Sequence, residues 1–375
     1  MFKKILVGIS GWVDSAVSAY LLKQAGYDVV GGFMINYLDE SDPNCTTKKD
    51  LEEFKKIVDY LDIPYEIWDF RKEYEDQILN YIYQWYLSGI TPNPDILCNN
   101  LIKFGLFLDE AIKLGFDMVA TGHYARVGYY DKILGLDDIW WSDFALLQAE
   151  YDRFRLYRWV DYDKDQSYFL SWLTQSQLSR SIFPLWSYTK SQVREIAHQI
   201  WLPNADRKDS QWLCFVGNIN MSKFLLDKIG PKPWDILDKN GNIIGQHKWA
   251  YLFTIWQRRG IWLSSQSYVI DIDVVSNTII VWTKNDLDLF VDKVVVDHMH
   301  WIWQKPIFWL QWYRCFCKIR YRQQLQAAQV IYNENSWIYT IKFVQPQKWV
   351  PNWQVAVICD GEHTDWVRGS GIISN

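Results

Sequence analysis

Glycine is scarce in this chain. Its 375 residues include 19 glycines, where average usage near 7% would give about 26. Long hydrophobic runs are missing as well. None reaches the roughly 18 residues that a membrane-spanning helix needs, so a helical membrane protein is not expected. The apolar start, Ile5-Leu6-Val7, is too short for the core of a secretory leader and reads as a buried first strand; the chain is expected in the cytoplasm. Cysteines are few and scattered, at Cys45, Cys98, Cys214, Cys315, Cys317 and Cys359, which argues against a disulfide-built scaffold. Positive charge is not in excess: the net charge is −5, unlike a protein that coats nucleic acid with its whole surface. Arg258-Arg259 and the run Arg314, Lys318, Arg320, Arg322 remain as local basic stretches. What the chain has in plenty is tryptophan, with 23 residues against 18 phenylalanines.

The apolar pattern alternates between strand and helix through the first half. Residues 3–9, 27–34, 65–70 and 116–122 read as strands. Helical spacing follows the first, with Val17, Tyr20, Leu21 and Leu22 on one face, and returns over 51–61, 73–88 and 99–114. Strands alternating with helices predict an α/β fold with a parallel sheet covered on both faces. Ligands in such folds sit at the carboxyl ends of the strands. Three segments fall there: 8–15, the surroundings of Met34, and Thr121-Gly122-His123. From about residue 205 strand-like stretches take over, with turns such as Asp238-Lys239-Asn240-Gly241-Asn242. From about 285 the pattern is short alternating strands. That predicts a small mixed domain and then a β-barrel.

The segment Gly8-Ile9-Ser10-Gly11-Trp12-Val13-Asp14-Ser15 joins the first strand to the first helix. A loop there points backbone N–H groups at an anion lying at the positive end of the helix. Ser10 and Ser15 add hydroxyl donors, and Asp14 is suited to a Mg²⁺ ion on the phosphates. No Gly-Lys-Ser/Thr follows, so this is not a Walker loop. It resembles Ser-Gly-Gly-x-Asp-Ser, the pyrophosphatase (PP) loop of enzymes that split ATP into AMP and pyrophosphate, and breaks that pattern only at Trp12.

Thr91-Pro92-Asn93-Pro94-Asp95-Ile96-Leu97-Cys98-Asn99 reads as a rigid, proline-restricted stretch ending in a cysteine. Lys208-Asp209-Ser210-Gln211-Trp212-Leu213-Cys214 holds a second one. With Ala120-Thr121-Gly122-His123-Tyr124, Lys164-Asp165-Gln166-Ser167-Tyr168-Phe169, Lys318-Ile319-Arg320-Tyr321-Arg322 and Pro351-Asn352-Trp353-Gln354, these motifs resemble the tRNA-specific 2-thiouridylases, the MnmA/TrmU family, from residue 3 to about 373. The resemblance implies a Rossmann-like adenine-nucleotide hydrolase domain over 1–205, a small mixed central domain over 206–283 and a tRNA-contacting β-barrel over 284–375. It implies ATP with Mg²⁺, tRNA as substrate, and a persulfide donor, either a cysteine desulfurase or a sulfur-relay protein.

The chemistry fits those residue types. Replacing the C2 oxygen of a uridine by sulfur requires that oxygen to become a leaving group, which adenylation achieves. By resemblance Cys214 would carry a persulfide, Cys98 would be the second, nucleophilic cysteine that releases the sulfur by thiol–disulfide exchange, and Asp95 the general acid/base. The ATP site would comprise the whole loop from Gly8 to Ser15, with Met34 and Gly122. The flipped base and its RNA would meet Asn93, Pro94, Asp95, His123, Lys164, Asp165, Gln166, Arg320, Tyr321 and Gln354. No compact motif supports an iron–sulfur cluster on Cys98 and Cys214. Cys315, Cys317 and Cys359 have no motif and look like barrel residues; Cys45 lies in a polar loop. Two other readings compete: another PP-loop ligase or amidotransferase, and a tRNA-binding relic disabled by Trp12.

Trp12 has company. The family pattern has glycine at Trp212, Trp256, Trp262 and Trp353, and glycine would suit the turn-like surroundings of Trp201, Trp234, Trp249 and Trp282. Glycine serves such places because it takes φ > 0 and lets backbone approach a ligand. Random decay would not keep choosing tryptophan while sparing Asp14, Asp95, Cys98 and Cys214. The pattern is that of a glycine codon, UGA, read as tryptophan.

Overall fold

A computed structural model describes residues 3–40, 45–90, 92–129, 132–133, 154–208, 234–247, 267–273, 276–283, 290–303, 312–348 and 352–374, with isolated positions between them (250, 253, 255, 257–258, 261, 263, 305–306 and 350). The first half builds a parallel sheet from β1 (Lys4–Gly8), β2 (Asp28–Ile35), β3 (Tyr65–Asp69), β4 (Met118–Thr121) and β8 (Ser181–Ile182), in the order β3-β2-β1-β4-β8. Every pairing in it is parallel. Helices α1 (Val13–Gln24), α2 (Thr47–Leu61) and α6 (Lys190–Gln199), the last preceded by the short α5 (Gln175–Ser179), contribute to one core cluster, with Ile5, Val7 and Val29 from the strands. Helices α3 (residues 71–87) and α4 (residues 94–113) contribute to the other, with Leu6 and Val30. Odd and even strand residues thus face opposite layers. On α2, Phe54, Ile57, Val58 and Leu61 are buried, the i, i+3, i+4, i+7 stripe of an amphipathic helix.

Two helices depart from sequence expectation. The proline-restricted stretch starts the helix expected only from 99: Pro94 opens α4 at its first turn, where a missing N–H costs nothing. Asp95 and Cys98 therefore share a helical face. Both α3 and α4 contain wide π-type turns, at Glu75–Leu79 and Cys98–Leu106, a feature common at functional sites.

The second sheet is small: β9 (Trp234–Leu237), β10 (Ile243–His247), β11 (Ser267–Asp273) and β12 (Thr278–Thr283). Trp234 and Trp282 lie in these strands and not in turns, a correction to the sequence reading. The third sheet runs β13 (Phe290–Trp301), β16 (Ile338–Lys348), β15 (Gln326–Asn333), β14 (Trp312–Lys318), β17 (Val355–Asp360) and β18 (Trp366–Ile373), and a β13–β18 pairing closes it into a barrel. Its interior holds Val296, Cys315, Cys317, Val330, Ile341 and Ile358. Burial pushes the Cys315 and Cys317 thiols up, and that of Cys359 to about 12, so all three stay protonated and inert. Among the described residues no helix is long and apolar enough to cross a membrane.

Three further strands, β5 (Arg126–Tyr129), β6 (Lys132–Ile133) and β7 (Phe154–Tyr157), come from within the first 205 residues yet extend the barrel's sheet, β7 pairing with β18. The nucleotide-fold half and the barrel are thus one hydrogen-bonded body. Asp165 ties the joint. Its buried carboxylate accepts from Lys318 Nζ of the barrel at 3.0 Å, Arg158 Nε at 3.3 Å and the Trp159 and Ser167 N–H groups at 3.1 Å each. Asp165→Asn strands two buried cations, so it should lower unfolding free energy by about 3–5 kcal/mol. Chemical denaturation measures this; a loss below about 1 kcal/mol would contradict the role.

Candidate active site

Strands β1 and β4 are neighbours, but the chain leaves them toward opposite ends of the sheet. That switch point opens the crevice where ligands bind. From β1 the chain enters the phosphate loop. Gly11 has φ +80°, and a Cβ there would stand 2.8 Å from the Asp50 carbonyl oxygen, so the loop passes under α2 only as glycine. Ser15 Oγ accepts from the Ser10 N–H at 3.2 Å and donates to the Trp12 carbonyl at 3.0 Å. From β4 comes Gly122, where a Cβ would meet the Ser15 nitrogen at 2.7 Å. The two strand ends therefore touch at the start of α1, whose N–H groups suit an anion.

Asp14 stands in the first turn of α1. Tyr124 donates its hydroxyl to Oδ1 at 2.6 Å, and Lys190 Nζ meets both carboxylate oxygens at 2.8 and 2.6 Å. Arg207 bonds the Gly11 carbonyl at 3.0 Å, pairs with Asp50, and stacks its guanidinium 3.8 Å over the Trp12 ring.

A cavity of about 860 Å³ connects this loop to the cysteine helix. Its walls include Gly8, Ile9, Ser10, Trp12, Val13, Asp14, Ser15, Met34 and Gly122 on the nucleotide side, and Asp95, His123, Lys164, Gln166 and Tyr321 on the other. Cys98 follows Asp95 by one helical turn and is 1% exposed. Tyr321 reaches in from the barrel and packs on Phe169, with ring centroids 4.5 Å apart. Asn93 and Pro94 precede Asp95. Asp165 is committed to the domain joint described above. Arg320 Nη2 donates to the Lys348 carbonyl at 3.4 Å, and Gln354 leads into β17, its carbonyl accepting from the Ile373 N–H at 2.9 Å. Cys214 and Trp212 lie outside the described residues, as do Trp249, Trp256 and Trp262.

His123 is half-buried on the cavity wall. Burial first, and the Lys103 ammonium second, hold its pKa well below the usual 6.5. Lys103 Nζ lies 3.4 Å from Nε2, and Thr121 Oγ1 lies 2.8 Å from Nδ1. An ammonium can only donate, so Nε2 accepts and Nδ1 carries the proton. At neutral pH His123 is thus a polar, uncharged group and not a counter-charge to phosphate. The sequence reading missed Lys190, Arg194, Lys103, Tyr124, Asn99 and Asn36, all on the cavity wall. Lys190 opens a helix announced by a capping box, Thr189 with Gln192, but its partner Asp14 lies far off in sequence. Asn36 had a local signal: it stands two residues past Met34, on the same side of the strand direction.

Fold and loop together define an α/β enzyme of the HUP class, built around a phosphate loop and coupled to β-barrel domains. Three family profiles match in succession: the tRNA methyl transferase HUP domain over residues 3–218, the tRNA methyl transferase PRC-barrel domain over 222–283 and the aminomethyltransferase β-barrel domain over 291–373. The tRNA-specific 2-thiouridylase MnmA 2 of Aliarcobacter butzleri is 39% identical over 99% of this chain and 98% of its own length. MnmA 1 of Geobacillus kaustophilus is 38% identical over 99% of this chain and 95% of its own. Among solved structures, the U34-tRNA thiolase NcsA from Methanococcus maripaludis with its [4Fe-4S] cluster matches with TM-score 0.34 and 19% identity, over 60% of this chain and 65% of that one. The chain belongs to the tRNA-specific 2-thiouridylase family.

Proposed function

We propose that this enzyme converts the wobble uridine of tRNA to 2-thiouridine, with the roles divided across the single cavity. The reading rests on one observation: a phosphate loop and Asp95 share that cavity, Tyr321 of the barrel borders it, and Cys98 lies buried one helical turn behind Asp95. ATP lies along the loop from Gly8 to Ser15, its adenosine toward Met34 and Gly122. The uridine, unstacked from its loop, enters beside Asp95. Its O2 attacks the α-phosphorus, and pyrophosphate leaves. The terminal sulfur of a Cys214 persulfide then bonds to C2 while AMP departs with the old oxygen. The Cys98 thiolate takes over the bond to Cys214 Sγ, so the cysteines finish as a disulfide that a thiol reductant must reopen. Asp95 handles the proton near the base. Asn93, Pro94, Lys164, Gln166, Arg320 and Gln354 would hold the RNA, whose binding should weaken with salt. Mg²⁺ fits the donor set: Asp14 is a carboxylate already facing a cation, and the ion would neutralise phosphate charge there.

Lys190 pairs with Asp14, and its ammonium would turn to phosphate once a nucleotide binds. Lys190→Ala should weaken ATP binding about 10- to 100-fold, the worth of one or two charged hydrogen bonds. Calorimetric titration of ATP measures it, and unchanged affinity would remove Lys190 from the site. The enzyme would work in the cytoplasm beside a cysteine desulfurase or sulfur-relay protein. The test of the whole reading is sulfur incorporation into tRNA with ATP and a persulfide donor; ATP-driven amidation of a small molecule instead would favour another PP-loop ligase.

A further inference from the structure

Among the described residues, seven that are not glycine hold positive φ. Asp62, Asn277 and His298 are types that tolerate it, and Arg322 is a lone departure. The other three are tryptophans: Trp201 at 54°, Trp337 at 60° and Trp353 at 69°. Trp201 ends α6 by a specific bond pair. Its N–H donates to the His198 carbonyl at 3.1 Å, and the Leu202 N–H donates to the Ala197 carbonyl at 2.9 Å. This is the Schellman motif, whose left-handed position normally belongs to glycine. The same pair of bonds closes α1 at Gly26, α3 at Gly89 and α4 at Gly115, with φ of 84°, 75° and 78°. The Trp201 indole is 83% exposed, so packing does not hold it there. Trp337 is the last residue of the loop between β15 and β16, where its N–H donates to the Asn333 carbonyl at 2.8 Å and its ring is 79% exposed. A left-handed residue ending such a hairpin loop is again glycine's place. The N–H of Trp353 is fixed to the Ile373 carbonyl at 2.6 Å.

We infer that positions 201, 337 and 353, together with 12 in the phosphate loop, are glycines in the working protein, encoded by a codon that the source reads as glycine. Trp337 joins this set from its backbone alone. At 201, 337 and 353 the inference rests on backbone geometry; position 12 is extended, with φ −95°, and joins them through the loop's sequence pattern and the composition, and none of this depends on the proposed reaction. At position 12 it has a consequence for binding. The indole borders the cavity and carries the Arg207 guanidinium on its face. With glycine that surface is gone, and the space beside Ser10 and Ser15 opens for the phosphates. Peptide mass spectrometry of the protein purified from its own source decides the matter. Expected are glycine at 12, 201, 337 and 353 and tryptophan at Trp159, which is wholly buried with its indole N–H on the Leu185 carbonyl at 3.1 Å. Tryptophan at any of the four, or glycine at 159, overturns the inference.

A second observation is independent of the first. Asn36 is 2% exposed and borders the cavity just past the carboxyl end of β2, yet among the described residues both polar atoms of its amide lack a partner. Buried amides are normally satisfied, and this one lies two residues from Met34. An amide offers one donor and one acceptor side by side, which matches the edge of adenine. We propose that Asn36 reads the adenine of ATP, an assignment that rests on the reading of this cavity as the ATP site. The test compares Asn36→Ala with the parent, both carrying glycine at position 12, using ATP and inosine triphosphate. Expected is a KM for ATP raised about tenfold with little change in kcat, an ATP-to-inosine triphosphate preference that collapses, and a melting temperature that holds or rises. Unchanged preference with a lower melting temperature makes Asn36 structural and overturns the assignment. A parent that cleaves neither nucleotide would instead count against the ATP site itself.

Discussion

Cys98→Ser should separate the two halves of the reaction. Pyrophosphate release dependent on tRNA persists within a few-fold, because the phosphate loop and Asp95 are untouched. 2-Thiouridine formation falls by roughly 10³-fold or more, about 4 kcal/mol of barrier, because no thiolate remains to take over the bond to Cys214 Sγ. Cys214→Ser should show the same split for a different reason: no persulfide forms. The buried Cys315, Cys317 and Cys359 provide controls. Their thiols are held protonated by burial, Cys315 and Cys317 in the barrel interior and Cys359 on its outer side against the first domain, and Cys315→Ala should leave both activities in place. Nucleoside chromatography beside a pyrophosphate assay reads both halves from one reaction. Equal loss of both activities in Cys98→Ser would mean that Cys98 shapes the site and does not release sulfur.

The second large effect belongs to position 12. A chain made with tryptophan there should release pyrophosphate roughly 10²-fold or more slowly than Trp12→Gly, the scale of losing one preorganised donor in an anion site. The physical cause is steric and local. Gly11 already needs its missing Cβ to clear Asp50, and the next residue must bring its N–H to the phosphates beside Ser10 and Ser15. An indole on the cavity wall, stacked on Arg207, would crowd that space. Equal rates for the two chains would show that the ring swings clear when ATP binds, and the loop would then tolerate tryptophan.

How far the sequence alone reaches depends on the distance over which each feature is encoded. The parallel sheet was legible because apolar runs and helical spacing alternate locally, and the phosphate loop because its donors are consecutive from Ser10 to Ser15. The closed barrel was legible as a class, from short alternating strands. The strands β5 to β7 were not: β7 joins them to the barrel through β18, which lies some two hundred residues away, and no local pattern names it. Asp165 shows the same limit. Its motif neighbours Lys164 and Gln166 border the cavity, while its own carboxylate turns inward to Lys318 and Arg158. His123 was legible as a strand-end residue near the nucleotide, but its neutrality depends on burial and on Lys103. The Lys190–Asp14 pair spans the chain from α1 to α6. The glycine positions were partly legible. Trp201 and Trp353 were singled out in sequence and hold positive φ, Trp234 and Trp282 proved to be strand residues, and Trp337 emerged only from its backbone.

The most direct measurement uses the chain with glycine at position 12 and at the other glycine-like tryptophans, 201, 212, 256, 262, 337 and 353. It is incubated with ATP, Mg²⁺, a persulfide donor and unmodified tRNA, and the digested nucleosides are resolved by mass spectrometry while pyrophosphate is counted. The account predicts 2-thiouridine at the wobble position, equimolar pyrophosphate, and no product when ATP is withheld. ATP cleavage with the wobble uridine left unchanged, under a donor that loads Cys214, would contradict it.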